Sequence, residues 1–412
     1  MKIRKKYLLY VLAFSSAILA ALLSGIDVVI GQFLKNPLIL GLSIFYFGFL
    51  MAIIFTGFFS ISYKGKSIGE RTIDPSFKKI RFPKKVEIKY HILSGAGNAI
   101  FTIGYFWLLI LIKDPSLVLP FSQVVILYLV IIESITEKNT PTLIEIQSSV
   151  IVTLGAILGS ISLSGTISLE SLVIVFLVIN PGWALQSIYQ RKIKMMKINN
   201  RPNDSLNIRL WNVAFACLFT MVFVIIYDFY SGSNNFIESL YAIINQFGWL
   251  SLVGIGTFFS YIFYIRALGI GKASVTQAVK SSVIIFTIPV SIVLAYFGYI
   301  NPISTDPALI IIRFSGIVLM LLGIISFALT LTKAYIFIKM KPGYPIEKTM
   351  QKIWDIKGVN RVTAVAGDYD FIVKIHTRTL VKGYERILRK IESIEGIKEY
   401  KWQSVLKEWE NI

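Results

Sequence analysis

The chain has 412 residues, 55% of them hydrophobic and only 16% charged, with a formal net charge of +19. That is too apolar for a soluble protein of this length. The basic residues cluster at the extreme N-terminus and in two stretches between apolar runs, which reads as membrane topology rather than nucleic-acid binding.

A bilayer core of about 30 Å needs about 20 apolar residues per helix. By that measure spans fall at roughly 7–34, 38–61, 91–112, 116–136, 142–163, 169–190, 208–229, 247–267, 273–298 and 308–331. The first run follows a basic start, Met1 to Lys6, but is long for a signal peptide. Between the second and third spans, 62–90 carries nine Lys/Arg: Lys64, Lys66, Arg71, Lys78, Lys79, Arg81, Lys84, Lys85 and Lys89. Between the sixth and seventh, 191–207 carries Arg191, Lys192, Lys194, Lys197 and Arg201. The alternate connections hold only Lys35 and Lys113, with Asp228, Glu238 and Asp306. Ten spans in a cell membrane with both termini cytoplasmic satisfy every loop.

Charges inside spans cost about 2.5–3.5 kcal/mol on insertion scales and are functional candidates by default. Asp27 lies on a stripe in span 1 with Ser16, Ala20, Ser24 and Gly31. Lys280 lies in span 9 near Thr276, Gln277, Thr287 and Ser291. Helical rise puts Asp27 roughly 12 Å from the outer end of its span and Lys280 roughly 10 Å from the inner end of its own, a vertical gap of roughly 8 Å. The pair is expected to hold the ammonium and carboxylate of one zwitterion. Other readings stay open: Lys280 snorkels to the cytoplasm, and Asp27 is a proton site or pairs with Lys35.

In span 6, Asn180-Pro181-Gly182 interrupts the helix, either to line a cavity or as a packing kink. Trp183, Gln186 and Gln190 follow it as cavity candidates. Gln123 and Ser281 are candidates too, with helix–helix hydrogen bonding as the competing role. Cys217 is the single cysteine and reads as packing. The two histidines, His91 and His376, have no partner at metal spacing, and no phosphate-binding loop occurs. No metal, cofactor or enzymatic activity is expected.

Past about residue 332 the pattern changes. Ala334–Met340 alternates like a strand, and Ile346, Met350, Ile353 and Trp354 share a helix face. Strands at Val362–Val365 and Phe371–Ile375 flank Gly367-Asp368-Tyr369-Asp370; a helix at about 380–394 and a strand at about 399–407 complete βαββαβ, a ferredoxin-like order.

One offset of 159 residues pairs Gly95 with Gly254, Gly97 with Gly256, Tyr105 with Tyr264, Leu109 with Leu268, Lys113 with Lys272, Ser122 with Ser281 and Lys35 with Lys194. It also pairs Asp27 with Gln186. It implies two five-helix halves, about 7–163 and 169–331, inverted because five is odd. Such repeats are typical of alternating-access transporters.

With Ser24-Gly25, Trp183-Ala184, Glu133, Gly155 and Gly323 in place, 1–331 resembles the drug/metabolite transporter superfamily, EamA type. Ile292 stands where the second half would need a partner for Glu133. The resemblance implies a central cavity among spans 1, 3, 4, 6, 8 and 9, and export of small metabolites, often amino acids. The tail, about 333–409, resembles the effector-binding domain of Lrp/AsnC regulators through Gly367-Asp368-Tyr369-Asp370 and the Gly358-Val359 and Gly396-Ile397 turns. That implies pairing through sheets, so a homodimer or higher homo-oligomer, and amino-acid binding near that turn. No helix-turn-helix precedes it and no nucleic acid is expected.

The expectation is an all-α membrane domain over 1–331 and an α+β domain over 332–412. Together they form a small-molecule exporter whose cytosolic tail dimerises it, senses amino acids, or both. An organophosphate or nucleotide-sugar carrier and a non-transporting amino-acid sensor are the alternatives.

Overall fold

A computed structural model describes residues 5–112, 118, 122–136, 143–159, 169–198, 201–300, 306–329, 332–356, 358–377 and 382–404. The chain divides into two compact units, Met1–Pro141 with Ile146–Ile325, and Ser326–Ile412 with Thr142–Glu145.

The first unit is helical. In chain order it contains α1 (Lys5–Phe33), α2 (Pro37–Phe59), a small hairpin of β1 (Ser62–Tyr63) and β2 (Lys66–Ser67), α3 (Ile68–Thr72), α4 (Lys85–Ile112), α5 (Val125–Thr136) and α6 (Leu143–Gly159). Next come α7 (Leu169–Val173), a π-helical turn (Ile174–Ile179), α8 (Asn180–Met195) and a hairpin of β3 (Lys197–Ile198) and β4 (Arg201–Pro202). Then follow α9 (Ser205–Ser231), α10 (Asn235–Asn245), α11 (Phe247–Leu268), α12 (Ala273–Lys280), α13 (Val283–Tyr296) and α14 (Pro307–Leu329).

The helix ends are written locally. Asn36 accepts from the Leu38 N–H ahead of Pro37, Asp204 accepts from the Asn207 N–H, and Gly232 closes α9 in the left-handed region at φ +70°.

Eight stretches are long and apolar enough to cross a bilayer: Leu8–Phe33, Pro37–Phe59, Lys85–Ile112, Glu170–Met195, Ser205–Ser231, Phe247–Leu268, Ala273–Tyr296 and Pro307–Ser326. Phe58, Leu177, Phe223 and Phe314 stand exposed on them. Several such helices fit a membrane-embedded protein. The count of ten is not reached among the described residues. The expected spans at 116–136 and 142–163 are represented by the shorter α5 and α6, and 113–117, 119–121, 137–142 and 160–168 lie outside the described residues.

Helix packing turns on glycine. α4 packs against α8 and α9, while α11 packs against α1 and α2. A β-carbon on Gly97 would sit 2.7 Å from Gln186 N, and one on Gly95 would sit 2.4 Å from Phe215 Cβ. On α11, Gly256 meets Leu23 at 2.6 Å and Gly254 meets Met51 at 2.9 Å by the same measure. Gly155 of α6 abuts Gly316 and Met320 of α14, and Gly323 of α14 abuts Ser148 and Val152 of α6.

Two stretches depart from the sequence expectation. The basic 62–84 connection is folded, with Phe77 wholly buried against Gly69 and Asp74 only 3% exposed. The connection after α9, expected as an outer loop, forms α10, which buries Asn235, Ser239 and Ala242 and exposes Ile237, Leu240, Tyr241 and Ile244.

The second unit holds β5 (Thr332–Met340), α15 (Ile346–Trp354), β6 (Val359–Ala364), β7 (Phe371–Thr377), α16 (Lys382–Glu392) and β8 (Ile397–Ser404). The four strands form one antiparallel sheet in the order β6-β7-β5-β8. Period-two alternation sends Ala334, Ile336 and Ile338 of β5 and Phe371, Val373 and Ile375 of β7 to one face. There they pack with Ile353, Ile387 and Ile391 from the helices.

Candidate functional site

A cavity of about 120 Å³ lies within the helical unit. α1 contributes Ala20, Leu23 and Asp27; α2 contributes Ile44 and Phe45; α4 contributes Asn98, Phe101, Thr102, Tyr105 and Phe106. Across from them stand Trp183 of α8, Arg209 and Val213 of α9, Val253, Thr257, Ser260 and Tyr261 of α11, and Lys280 of α12.

Each charged group has a local reason for its place. Asp27 is carried by the buried stripe of α1, whose Ser16 meets Ser260 of α11 at 3.2 Å. The Tyr105 hydroxyl donates to Asp27 Oδ2 at 3.5 Å, while Oδ1 has no partner among the described residues. Lys280 ends α12, where a cation complements the helix dipole. A turn at Ser281-Ser282 separates α12 from α13, so the ninth expected span is broken at Lys280. The Lys280 ammonium lies 4.3 Å from the centre of the Tyr264 ring, 4.8 Å from Trp183 and 5.6 Å from Tyr261. These are cation–π distances, an arrangement open to a further anion.

Arg209 sits one turn into α9, with its guanidinium carbon 4.2 Å from the Tyr261 ring centre. Its Nε and Nη1 are buried and, among the described residues, have no hydrogen-bond partner. Among the described residues, no ion pair links Asp27 to Lys280 or Arg209.

Trp183 is set by the break in span 6. Pro181 supplies no N–H, and the preceding π turn absorbs the register change, with Asn180 Nδ2 donating to Val175 O at 2.9 Å. Gly182 then lets α8 approach α4 closely, and Trp183 lands 4.7 Å from Phe101, ring centre to ring centre.

The other residues singled out from sequence lie beside this cavity rather than on its wall. Ser24 Oγ bonds back to Ala21 O at 2.7 Å. Gln277 Nε2 and Ser281 Oγ both donate to Gln123 Oε1, at 3.0 and 2.7 Å, joining the turn before α5 to the end of α12. Gln186 is wholly buried at the α4–α8 contact. Glu133 caps α12: its Oε1 accepts from Ala273 N at 2.9 Å and its Oε2 from Ser274 Oγ at 2.5 Å. Arg191 Nη1 lies 3.4 Å from Glu133.

Sequence reasoning missed Arg209, Asn98 and Tyr261. Arg209 stands at the edge of an apolar run and reads as a boundary charge. The Asp204 cap, which starts the helix at Ser205, was the signal that it lies inside.

A second polar cluster ties the 62–84 segment to the end of α8 and the start of α9. Asp74 Oδ2 accepts from Lys194 Nζ at 2.6 Å, Ser205 N at 2.9 Å and Ser205 Oγ at 2.7 Å. Burial alone would raise the Asp74 carboxyl; the Lys194 charge, with hydrogen bonds from Lys194, Ser76 and Ser205, overrides it and holds the group at about 2. Arg81 forks onto Glu87 at 2.8 and 2.9 Å. That hydrogen bonding holds the guanidinium above its usual value.

In the second unit, Gly367-Asp368-Tyr369-Asp370 forms the β6–β7 turn. Gly367 adopts φ +153°, and the Tyr369 ring lies 5.6 Å from Phe337. Residues 333–411 match the Lrp/AsnC ligand binding domain family. In this Lrp/AsnC-type domain Asp370 is committed to the fold: its Oδ2 accepts from Met340 N at 2.6 Å, and its own N–H donates to Ile338 O at 2.9 Å. Asp368 is exposed at the tip of the turn. No curated protein matches the chain. One solved structure, described only as a crystal structure of a protein, aligns over 77% of this chain and 95% of its own, at 13% identity and a TM-score of 0.46.

Proposed function

We propose that the chain is a secondary transporter of amino acids or related small metabolites, an exporter of the drug/metabolite (EamA) type, working by alternating access. The observation that carries this reading is the set of three charged side chains, Asp27, Arg209 and Lys280, facing one cavity among apolar helices with no ion pair among them. Buried charge without a partner is costly and marks a place where a ligand supplies the missing charge. The cavity is small beside the roughly 300–1,000 Å³ of sites for drug-sized ligands. That favours a small metabolite over a nucleotide sugar.

Reciprocal packing supports an inverted repeat. Gly95 and Gly97 of α4 meet α9 and α8, and their counterparts Gly254 and Gly256 of α11 meet α2 and α1. Tyr105 serves Asp27 and its counterpart Tyr264 serves Lys280. Short turns, Gln123-Val124 and Ser281-Ser282, precede α5 and α13 at nearly matching places in the two halves. On this reading both termini are cytoplasmic, and the Lrp/AsnC-type domain pairs two carriers, senses cytosolic amino acid, or both.

Two cations on one cavity also favour an organophosphate carrier, although Asp27 would then face an anion. Proteoliposomes loaded with labelled amino acids or phosphate esters distinguish the two. Efflux of an amino acid above that of protein-free vesicles is expected, and its absence for every amino acid sinks the proposal.

A further inference from the structure

The cavity's charges do not balance for a neutral zwitterion. In their ionised forms Asp27 offers one negative charge and Arg209 and Lys280 two positive ones, and all three side chains are at least nine-tenths buried. Both cations flank the same ring: Arg209 lies 4.2 Å and Lys280 5.6 Å from the centre of Tyr261, so they are separated by no more than those two distances together. The aromatic contacts leave the ammonium's N–H donors available, and the guanidinium keeps two nitrogens without partners. A planar guanidinium matches a carboxylate.

Each simple ligand class leaves a charge uncompensated. A neutral amino acid would bring its ammonium to Asp27 and its carboxylate to one cation, and leave the other cation bare in an apolar surround. A basic amino acid would add a third positive group. A phosphate ester or plain dicarboxylate would satisfy both cations but bring no positive group to Asp27. An amine carrying two carboxylates fits all three.

Resting on the transporter reading above, we infer that the substrate is a small amino dicarboxylic acid. Its ammonium binds Asp27 beside the Tyr105 hydroxyl, and its two carboxylates bind Arg209 and Lys280. Trp183 and Tyr261 hold the ammonium of Lys280 in position between substrate visits.

Full-length protein in proteoliposomes tests this by counterflow of labelled aspartate, glutamate, leucine, lysine, succinate and glycerol phosphate. Aspartate or glutamate is expected to exchange with a kcat/KM at least about tenfold above each of the other four. Arg209→Gln is expected to lower exchange of the acidic amino acid by about tenfold or more, and to bring leucine within a few-fold of it. The wild-type ranking stands by itself should that variant fail to fold. Leucine moving as fast as glutamate overturns the inference and leaves the amino-acid transporter intact. Succinate moving as fast as glutamate also overturns it, because Asp27 would then bind nothing. No exchange of any of the six overturns the inference, and absence of efflux for every other amino acid as well overturns the transporter reading with it.

Discussion

Gly97 and Gly182 meet backbone to backbone: a β-carbon on Gly97 would lie 2.7 Å from the Gly182 carbonyl oxygen, and one on Gly182 would lie 3.0 Å from that of Gly97. This crossing brings Trp183 against Phe101 and so shapes the wall of the cavity. Gly256 makes the repeat-related contact, but the atoms nearest its added carbon belong to the Leu23 side chain. A side chain can rotate away where a carbonyl cannot. Gly97→Ala is therefore expected to cost about 1–3 kcal/mol, and Gly256→Ala less than half as much. Thermal unfolding of the two variants in detergent checks the ranking, and equal losses would contradict it.

Asp27→Asn removes the cavity's one carboxylate while keeping its shape. Amino-acid exchange in proteoliposomes should fall by about tenfold or more with the melting temperature unchanged or raised, because a costly buried charge has gone. Unchanged exchange would remove Asp27 from the site.

Stability should depend on acid pH through Asp74. Its folded value, about 2, lies below the ordinary 3.8. The Lys194 contact therefore stabilises fully above about pH 4, and that contribution is lost as pH falls through about 2. The shift corresponds to a loss on the order of 2 kcal/mol. Asp74→Asn should flatten this part of the pH–stability curve while lowering stability at neutral pH, where Lys194 is left buried without its counter-ion. Unfolding in detergent between pH 6 and pH 2 measures both effects.

In the Lrp/AsnC-type domain, Asp370→Ala removes the acceptor for Met340 N and is expected to cost about 1.5–3 kcal/mol. Asp368→Ala, at the exposed tip, should cost almost nothing. Hydrogen exchange at the β5 and β7 amides of the full-length protein reads this directly. Equal protection in the two variants would count against a structural role for Asp370.

On the proposed reading, amino-acid binding by that domain is separable from binding at the cavity of the helical unit. Calorimetry on full-length Asp27→Asn protein is expected to retain one class of amino-acid site. Loss of all binding in that variant would leave the domain with pairing alone.

Much of the architecture was legible because it is local. Runs of about 20 apolar residues mark helices whatever surrounds them, and the 159-residue offset exposed Tyr105, Tyr264 and the glycine pairs before any contact was known. The turn Gly367-Asp368-Tyr369-Asp370 located a strand boundary and a family. Less was legible in the 62–84 segment, whose basic residues suggested a solvated loop. Its fold depends on Asp74 and Arg81 meeting residues more than a hundred positions away. α10 was hidden because 11 residues with polar and apolar faces are too short to register as a span.

The sequence by itself determined which segments are apolar helices, where Pro181 and the capping residues start or stop them, and that the C-terminal segment alternates strands with helices; these follow from hydropathy and backbone chemistry along the chain. Only the tertiary structure decided that Arg209 joins Asp27 and Lys280 at one cavity, that Glu133 caps a helix 140 residues onward, and that Gln277 and Ser281 both donate to Gln123. Those outcomes depend on which helix faces touch, and a charge buried in a bundle is defined by what surrounds it rather than by its neighbours in sequence.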